Sequence, residues 1–262
     1  MQLIVPMAGL GQRFADAGYT LPKPLVEVSG LPMIVRVVRD LPACERFAFV
    51  VNGEHVRRFA IDKTLRSYFP AAQIVVTPGL TQGQACTVRL AAKCIELDDE
   101  VLVAACDATH VYDAQKFAQL RDDPATEAIV WTYRGEPRVL ATPKSFGWIR
   151  TNEAGNVAAI SCKQPISNQL LTDRVVSGFF WFRSARRLMA AIDDLVASNE
   201  RINNEFYLDV IPNRILADGG RVVAFDVEKY IGWGTPEDLR DYERWERYFT
   251  QQCPTNELRR AS

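Results

Sequence analysis

Histidine is nearly absent: His55 and His110 are the only two in 262 residues. None of the six cysteines (Cys44, Cys86, Cys94, Cys106, Cys162 and Cys253) stands in a C-x-x-C spacing. The usual zinc frameworks are therefore excluded, and the cysteines read as small, reduced core residues. A basic excess is lacking as well, with 31 Lys and Arg against 32 Asp and Glu. General nucleic-acid binding is not expected, and any anionic ligand must be held by a local cluster. No apolar run approaches the roughly 20 residues that span a bilayer. Met1 opens directly into a short apolar run instead of a charged leader. The expectation is a cytoplasmic protein with no membrane partner. Nothing marks an interface, so a homo-oligomer stays open.

What is present is ordinary globular composition, 48% hydrophobic and 24% charged, in a chain long enough to bury a large core. Short apolar runs at 2–7, 47–51, 73–77 and 101–106 read as strands, the last ending on Asp107. Between them, helical spacing covers 33–40, 55–69 and 87–95. Strands alternating with helices point to a parallel sheet with crossover helices. Farther on, short runs at 128–133, 147–152, 157–161 and 176–182 suit an antiparallel extension. Helices are expected at 185–198, 204–218 and 236–249, with a strand at 221–226. The fold class is therefore α/β: a three-layer α/β/α sandwich with a mostly parallel central sheet and a smaller antiparallel part. One domain over 1–250 is expected, with a nucleotide-binding part at 1–125 and a substrate-binding part at 126–250. The tail at 251–262 lacks periodicity and reads as mobile.

The sharpest signal follows the first run. A strand that enters a glycine-rich turn, Ala8-Gly9-Leu10-Gly11, points several backbone N–H groups at one spot, which suits phosphate. A dinucleotide fingerprint from Gly9 would need glycine where Phe14 stands, and a P-loop would need a lysine directly after the glycines. Neither is present. Arg13 closes the loop instead, and ten residues on comes Pro22-Lys23-Pro24-Leu25. The two prolines stiffen the backbone around Lys23 and so fix where its ammonium points. Arg13 and Lys23 would then converge on a phosphate chain.

On these residues, Ala8-Gly-Leu-Gly-Gln-Arg-Phe14 with Pro22-Lys-Pro-Leu25, the chain resembles the sugar-nucleotide pyrophosphorylases, nucleotidyltransferases of the glucose-1-phosphate thymidylyltransferase kind. The resemblance runs from residue 2 to about 242. It continues through Thr81-Gln-Gly-Gln-Ala85, Asp107, Gln164-Pro165, Ser177-Gly-Phe-Phe180 and Gly234-Thr-Pro-Glu-Asp-Leu239. It is similar to a small stand-alone branch linked to bacterial surface polysaccharide synthesis, some of whose members act on phosphorylated compounds other than sugars.

The resemblance implies attack by an acceptor phosphate on the α-phosphorus of a nucleoside triphosphate, with pyrophosphate leaving. It implies that Ala8, Gly9, Leu10 and Gly11 hold the triphosphate and that Arg13 meets the departing phosphates. Lys23 would contact the α-phosphate, and Asp107 would bind Mg2+, which wants hard oxygen ligands. Gln82 and Gly83 would lie by the base. Two departures stand out. Gly232 occupies the place of a second metal aspartate, leaving Asp226, Glu228 and Glu205 as candidates. The substrate turn reads Cys162-Lys163-Gln164-Pro165, so Lys163 remains for the acceptor phosphate but a sugar-holding glutamate is missing. Asn204 and Glu205, at an expected helix start, are the other acceptor-side candidates. His110 gives only a weak sign of a metal site, and Trp148, Trp181, Trp233 and Trp245 read as packing or pocket walls.

Three alternatives stay open: a cytidylyltransferase acting on a non-sugar phosphate, a glycosyltransferase of related fold, and a non-catalytic sensor of nucleotide sugars. Asp107-Ala-Thr109 in place of Asp-x-Asp counts against the glycosyltransferase.

Overall fold

The apolar run QLIVPM forms β1 (Gln2–Met7), buried along almost its whole length as a central parallel strand must be. The structure, a computed structural model, describes residues 1–252. After β1 come the short helix α1 (Gln12–Asp16), a 3-10 turn at Lys23–Leu25, a two-residue hairpin of β2 (Glu27–Val28) and β3 (Leu31–Pro32), and α2 (Met33–Arg39). The chain continues as β4 (Arg46–Asn52), α3 (Gly53–Phe59), α4 (Ile61–Tyr68), β5 (Gln73–Thr77), α5 (Gln84–Arg89) and β6 (Val101–Val103). Next are β7 (Ala108–Val111), α6 (Ala114–Asp122), β8 (Thr126–Tyr133), α7 (Arg138–Ala141), β9 (Gly147–Thr151), β10 (Val157–Cys162) and β11 (Arg174–Phe182). The last elements are α8 (Ala185–Ala197), α9 (Ile211–Ala217), β12 (Arg221–Asp226), β13 (Lys229–Gly232) and α10 (Pro236–Gln252).

One nine-stranded sheet carries both halves of the chain. From one edge it runs β5, β4, β1, β6, all parallel. The antiparallel β11 is then shared. One of its edges meets β9 early and β6 late, while β8 follows the other edge and carries the parallel β12 outside it. β9 and β10 form the antiparallel extension, and β7 pairs with β13 as a separate ribbon.

Alternation along the strands sorts the core into two layers, one on each side of the sheet. Leu3, Val5 and Met7 of β1 join Phe49, Leu102, Trp131 and the buried faces of α2 and α4. Ile4 joins Val50, Val103 and Val130 on the other side, against α5, α8 and α9. The expected three-layer sandwich is thus present.

Several boundaries differ from expectation. The helix expected over 55–69 is two helices, because Ala60 adopts φ 50 between α3 and α4. The strand expected at 101–106 stops at Val103, so Asp107 sits in the bend between β6 and β7 and not at a strand end. No helix begins at Asn204. Asn203 and Asn204 have φ 49 and 63, which makes a turn, and α9 begins only at Ile211. α10 continues to Gln252, two residues into the stretch expected to be mobile, and the rest of that stretch lies outside the described residues. Trp148, Trp181 and Trp233 are core, and Trp245, 61% exposed, stands in the wall of a cleft, both within what was expected.

Candidate functional site

The first strand delivers the glycine loop to the end of the sheet. Gly11 takes φ 65, and a Cβ added there would stand 3.1 Å from Lys23 Cβ. The loop and the proline-flanked lysine are therefore packed against each other, which explains why a side chain is missing at Gly11. Asn52, at the end of the neighbouring strand, donates to the Ala8 carbonyl at 3.1 Å and steadies the loop from below.

Lys23 forms an ion pair with Asp107, both side chains being mostly enclosed. Burial disfavours the Lys23 ammonium, but the Asp107 carboxylate outweighs it, and the lysine pKa is raised. Lys23 therefore stays charged at any working pH. Arg13 is exposed on α1, close enough to act electrostatically on Lys23, and no carboxylate among the described residues pairs with it. The Trp233 amide donates to the Asp107 carbonyl at 2.7 Å, tying the ribbon of β7 and β13 to the site.

Gly9, Gly11, Lys23 and Asp107 line one cleft of about 210 Å³, together with Pro6, Met7, Pro24, Gln84, Ala105 and Cys106. Leu10 is exposed beside it, and Arg13 is not part of its wall. Gln84 is the residue that the sequence reading missed. Thr81-Gln-Gly-Gln84 offers two amides, and the turn at Gly83 decides between them: Gln84 faces the cleft, while Gln82 accepts from Arg201. Arg201 in turn lies 4.1 Å over the Phe206 ring. Cys106, although in the wall, is no nucleophile, since burial pushes its thiol up to about 11.

The acceptor-side candidates form a separate group. Lys163 adopts φ 62, donates from Nζ to the Ser145 carbonyl at 2.5 Å, and lies 5.2 Å over the Tyr207 ring. Asn204 and Glu205 are exposed in the turn just before Tyr207. Asp209, half-buried near Lys163, has its pKa raised by desolvation, with Lys163 acting in the opposite sense. The Gln82 and Lys163 groups are thus joined through one segment, Arg201 to Asp209, whose part from 204 on the sequence presented as a helix.

The candidates for a second metal carboxylate do not join Asp107. Asp226 is held by Arg174 at 2.8 and 2.9 Å and by Thr132 at 2.6 Å. Glu228 and Glu205 are exposed. Among the described residues no cluster of three His, Cys, Asp or Glu side chains is placed to hold a cation. The nearer carboxylate is Asp238, which faces Asp107 across Gly234. A Cβ at Gly234 would be 3.5 Å from Asp107 Oδ2 and 3.8 Å from Asp238 Oδ2. Asp238 is already engaged, accepting from the Thr235 amide at 3.0 Å and pairing with Arg138.

His110 is a core residue. It packs edge-on to Phe179 and Trp131, and its Nε2 has no partner among the described residues. Burial lowers its pKa to about 3, so the folded state refuses a proton that the unfolded state takes below about 6.5. Stability from this group is therefore full above pH 6.5 and is lost as pH falls toward 3. The loss is roughly 3 kcal/mol at pH 4. Urea denaturation of wild type and His110→Phe at pH 7 and pH 4 checks this: the variant is expected to lose less stability than wild type by about that amount.

A larger cleft, of about 1040 Å³, lies between β13, Glu136, Arg138 and one face of α10. None of the site residues expected from sequence lines it.

Comparison with known proteins gives a consistent picture. Residues 3–203 match the family described as the MobA-like NTP transferase domain. The bifunctional protein GlmU of Sorangium cellulosum is 28% identical over 237 residues, covering 87% of this chain and 48% of that protein. The chain thus spans about half the length of this relative. A nucleoside-diphosphate-sugar pyrophosphorylase from Vibrio cholerae superposes with a TM-score of 0.76 at 21% identity, covering 92% of this chain and 99% of that one. An inositol-1-phosphate CTP transferase from T. maritima superposes at 0.70 with 17% identity, covering 94% and 95%. At these identities the two superpositions speak for a shared fold.

Proposed function

This chain belongs to the MobA-like NTP transferase domain family, and from that premise we propose that it is a nucleotidyltransferase. It joins a nucleoside triphosphate to a phosphorylated small molecule and releases pyrophosphate. The observation that carries the reading is the one cleft in which Gly9, Gly11, Lys23 and Asp107 meet, a lysine ammonium beside a glycine loop and a carboxylate, with Arg13 outside its wall on α1. A nucleotide-binding part over 1–125 and an acceptor-binding part over 126–250 belong to the same proposal, as do a cytoplasmic location and a role in polysaccharide precursor synthesis.

The chemistry asks little covalent work of the protein. Two polyanions must be aligned, and the charge that builds on the five-coordinate phosphorus must be met by donors already in position. The backbone from Ala8 to Gly11 holds the β- and γ-phosphates, and Arg13 swings onto them from α1. Lys23 leaves Asp107 for the α-phosphate as negative charge grows there. Gln84, and not Gln82 alone, is the amide offered to the nucleotide. Lys163, Asn204 and Glu205 stand for the acceptor.

The residues present suit a magnesium ion that arrives with the nucleotide, not one caged by protein. Asp107 would offer one hard oxygen donor, and phosphates and water would supply the rest. When bound, the ion supplies charge neutralisation between phosphates.

The acceptor stays at the level of a phosphorylated small molecule. Sugar 1-phosphates and non-sugar phosphates both fit a turn that keeps Lys163 but carries Cys162, not glutamate. The solved neighbour described as an inositol-1-phosphate CTP transferase favours testing both kinds.

The test is a thermal-shift series with ATP, CTP, GTP, UTP and dTTP, with and without magnesium. Ligand at 100 times its dissociation constant adds roughly 2.7 kcal/mol. That corresponds to a rise on the order of 5–10 °C in a domain of this size. A magnesium-dependent rise with one nucleotide is expected. No rise with any triphosphate, but one with finished nucleotide sugars, would point instead to a glycosyltransferase or a sensor.

A further inference from the structure

Position 232 is glycine, and the reason lies two residues earlier. A Cβ added at Gly232 would stand 2.7 Å from Tyr230 Cε1 and 2.8 Å from Tyr230 Oη, closer than real contacts allow. The phenol therefore fills the space into which any side chain at 232 would project. It is held there by stacking on Tyr133, with centroids 4.3 Å apart and planes within 13°. The His110 ring is tilted against it, with centroids 5.6 Å apart.

The hydroxyl itself is left over. It makes no hydrogen bond to any described residue, yet Tyr230 lines the larger cleft. The charged groups that bear on it are the carboxylates of Asp107 and Asp238 and the guanidinium of Arg138. Tyr230 thus lines the larger cleft while lying close enough to Asp107 to feel its charge. Burial raises its pKa, so it is an O–H donor at any working pH. A neutral donor here binds an anion without adding charge of its own, whereas a carboxylate at this place would repel the two phosphates unless a second cation came with it.

We propose that Tyr230 is an acceptor-side binding residue: its phenol donates to the phosphate of the acceptor beside Asp107, in addition to Lys163. The proposal rests on the transferase reading above. It also assigns Gly232 a cause, since the phenol and a side chain at 232 exclude each other.

Tyr230→Phe removes the hydroxyl and keeps the ring and its stack. The acceptor probes are glucose 1-phosphate, inositol 1-phosphate, glycerol 3-phosphate and phosphocholine, and the one turned over fastest by wild type is used. The expected result is a fall of about 10- to 100-fold in kcat/KM for that acceptor, the effect of losing one hydrogen bond to a charged group. The nucleotide Kd from isothermal titration should stay within about twofold. An unchanged kcat/KM overturns the proposal, and so does an equal weakening of nucleotide binding.

The steric half is read without activity. Gly232→Ala should lower the thermal midpoint, and it should lower it less in a Tyr230→Ala background than in wild type. If Gly232→Ala costs nothing, the exclusion argument is wrong. Wild type that releases no pyrophosphate with any nucleotide and acceptor would sink the transferase reading and the acceptor role with it, while the midpoint coupling would still report on the packing.

Discussion

Lys23→Ala is expected to lower kcat by about 10²–10³-fold while leaving the fold in place. This is the usual cost of removing one preorganised donor aimed at developing charge. The ammonium cannot be replaced from nearby, because Pro22 and Pro24 fix the backbone that presents it and Gly11 packs against its Cβ. The side chain of its partner Asp107 keeps 24% of its surface exposed, so water reaches the carboxylate left unpaired and the fold survives the loss. Single-turnover and steady-state assays check the rate, and circular dichroism checks the fold. Turnover within threefold of wild type would remove Lys23 from the chemistry and leave its pairing with Asp107 as packing alone.

Gly83→Ala should have the largest effect on stability, about 3–5 kcal/mol. Gly83 sits at φ 130 and ψ 174, a region open essentially to glycine. A Cβ there would also lie 2.5 Å from both the amide nitrogen and the carbonyl oxygen of Phe206, which are backbone atoms with little room to give. Those same atoms bind the loop: Phe206 N–H donates to the Gln82 carbonyl at 2.9 Å, and Ala85 N–H donates to the Phe206 carbonyl at 3.0 Å. The substitution therefore strains the residue and breaks the strap between the Gln84 loop and the Arg201–Asp209 segment. Urea denaturation gives the stability, and nucleotide titration should show weakened binding in whatever fraction folds. A midpoint unchanged from wild type would mean the close approach to Phe206 is not maintained in solution.

The parts of this protein that were legible in sequence are those written in local pattern. Gly9, Gly11 and Lys23 are marked by glycine and proline whose conformational roles are readable one residue at a time, and the structure does bring them together with Asp107. The strands of the parallel half announce themselves as short, wholly apolar runs because both of their faces are covered. What escaped depends on distant partners. Ala108–Val111 is too short and mixed to read as a strand, and it is one only because Lys229–Gly232 pairs with it from more than a hundred residues away. The 203–206 turn looked like a helix start because asparagine serves both caps and left-handed turns, and only the close approach of Phe206 to Gly83 selects the turn. Gln84 was passed over for Gln82 because choosing between two amides astride one glycine needs the φ of that glycine. Gly232 was visible as a departure from relatives, but its cause, the ring of Tyr230, is a packing fact.

The most direct measurement is pyrophosphate release from each of the five triphosphates, with magnesium and one phosphorylated acceptor at a time. The account predicts release that requires both substrates together, falls with Lys23→Ala and Tyr230→Phe, and stops when magnesium is chelated. Release from nucleotide alone at the same rate, or none from any pair, would contradict it.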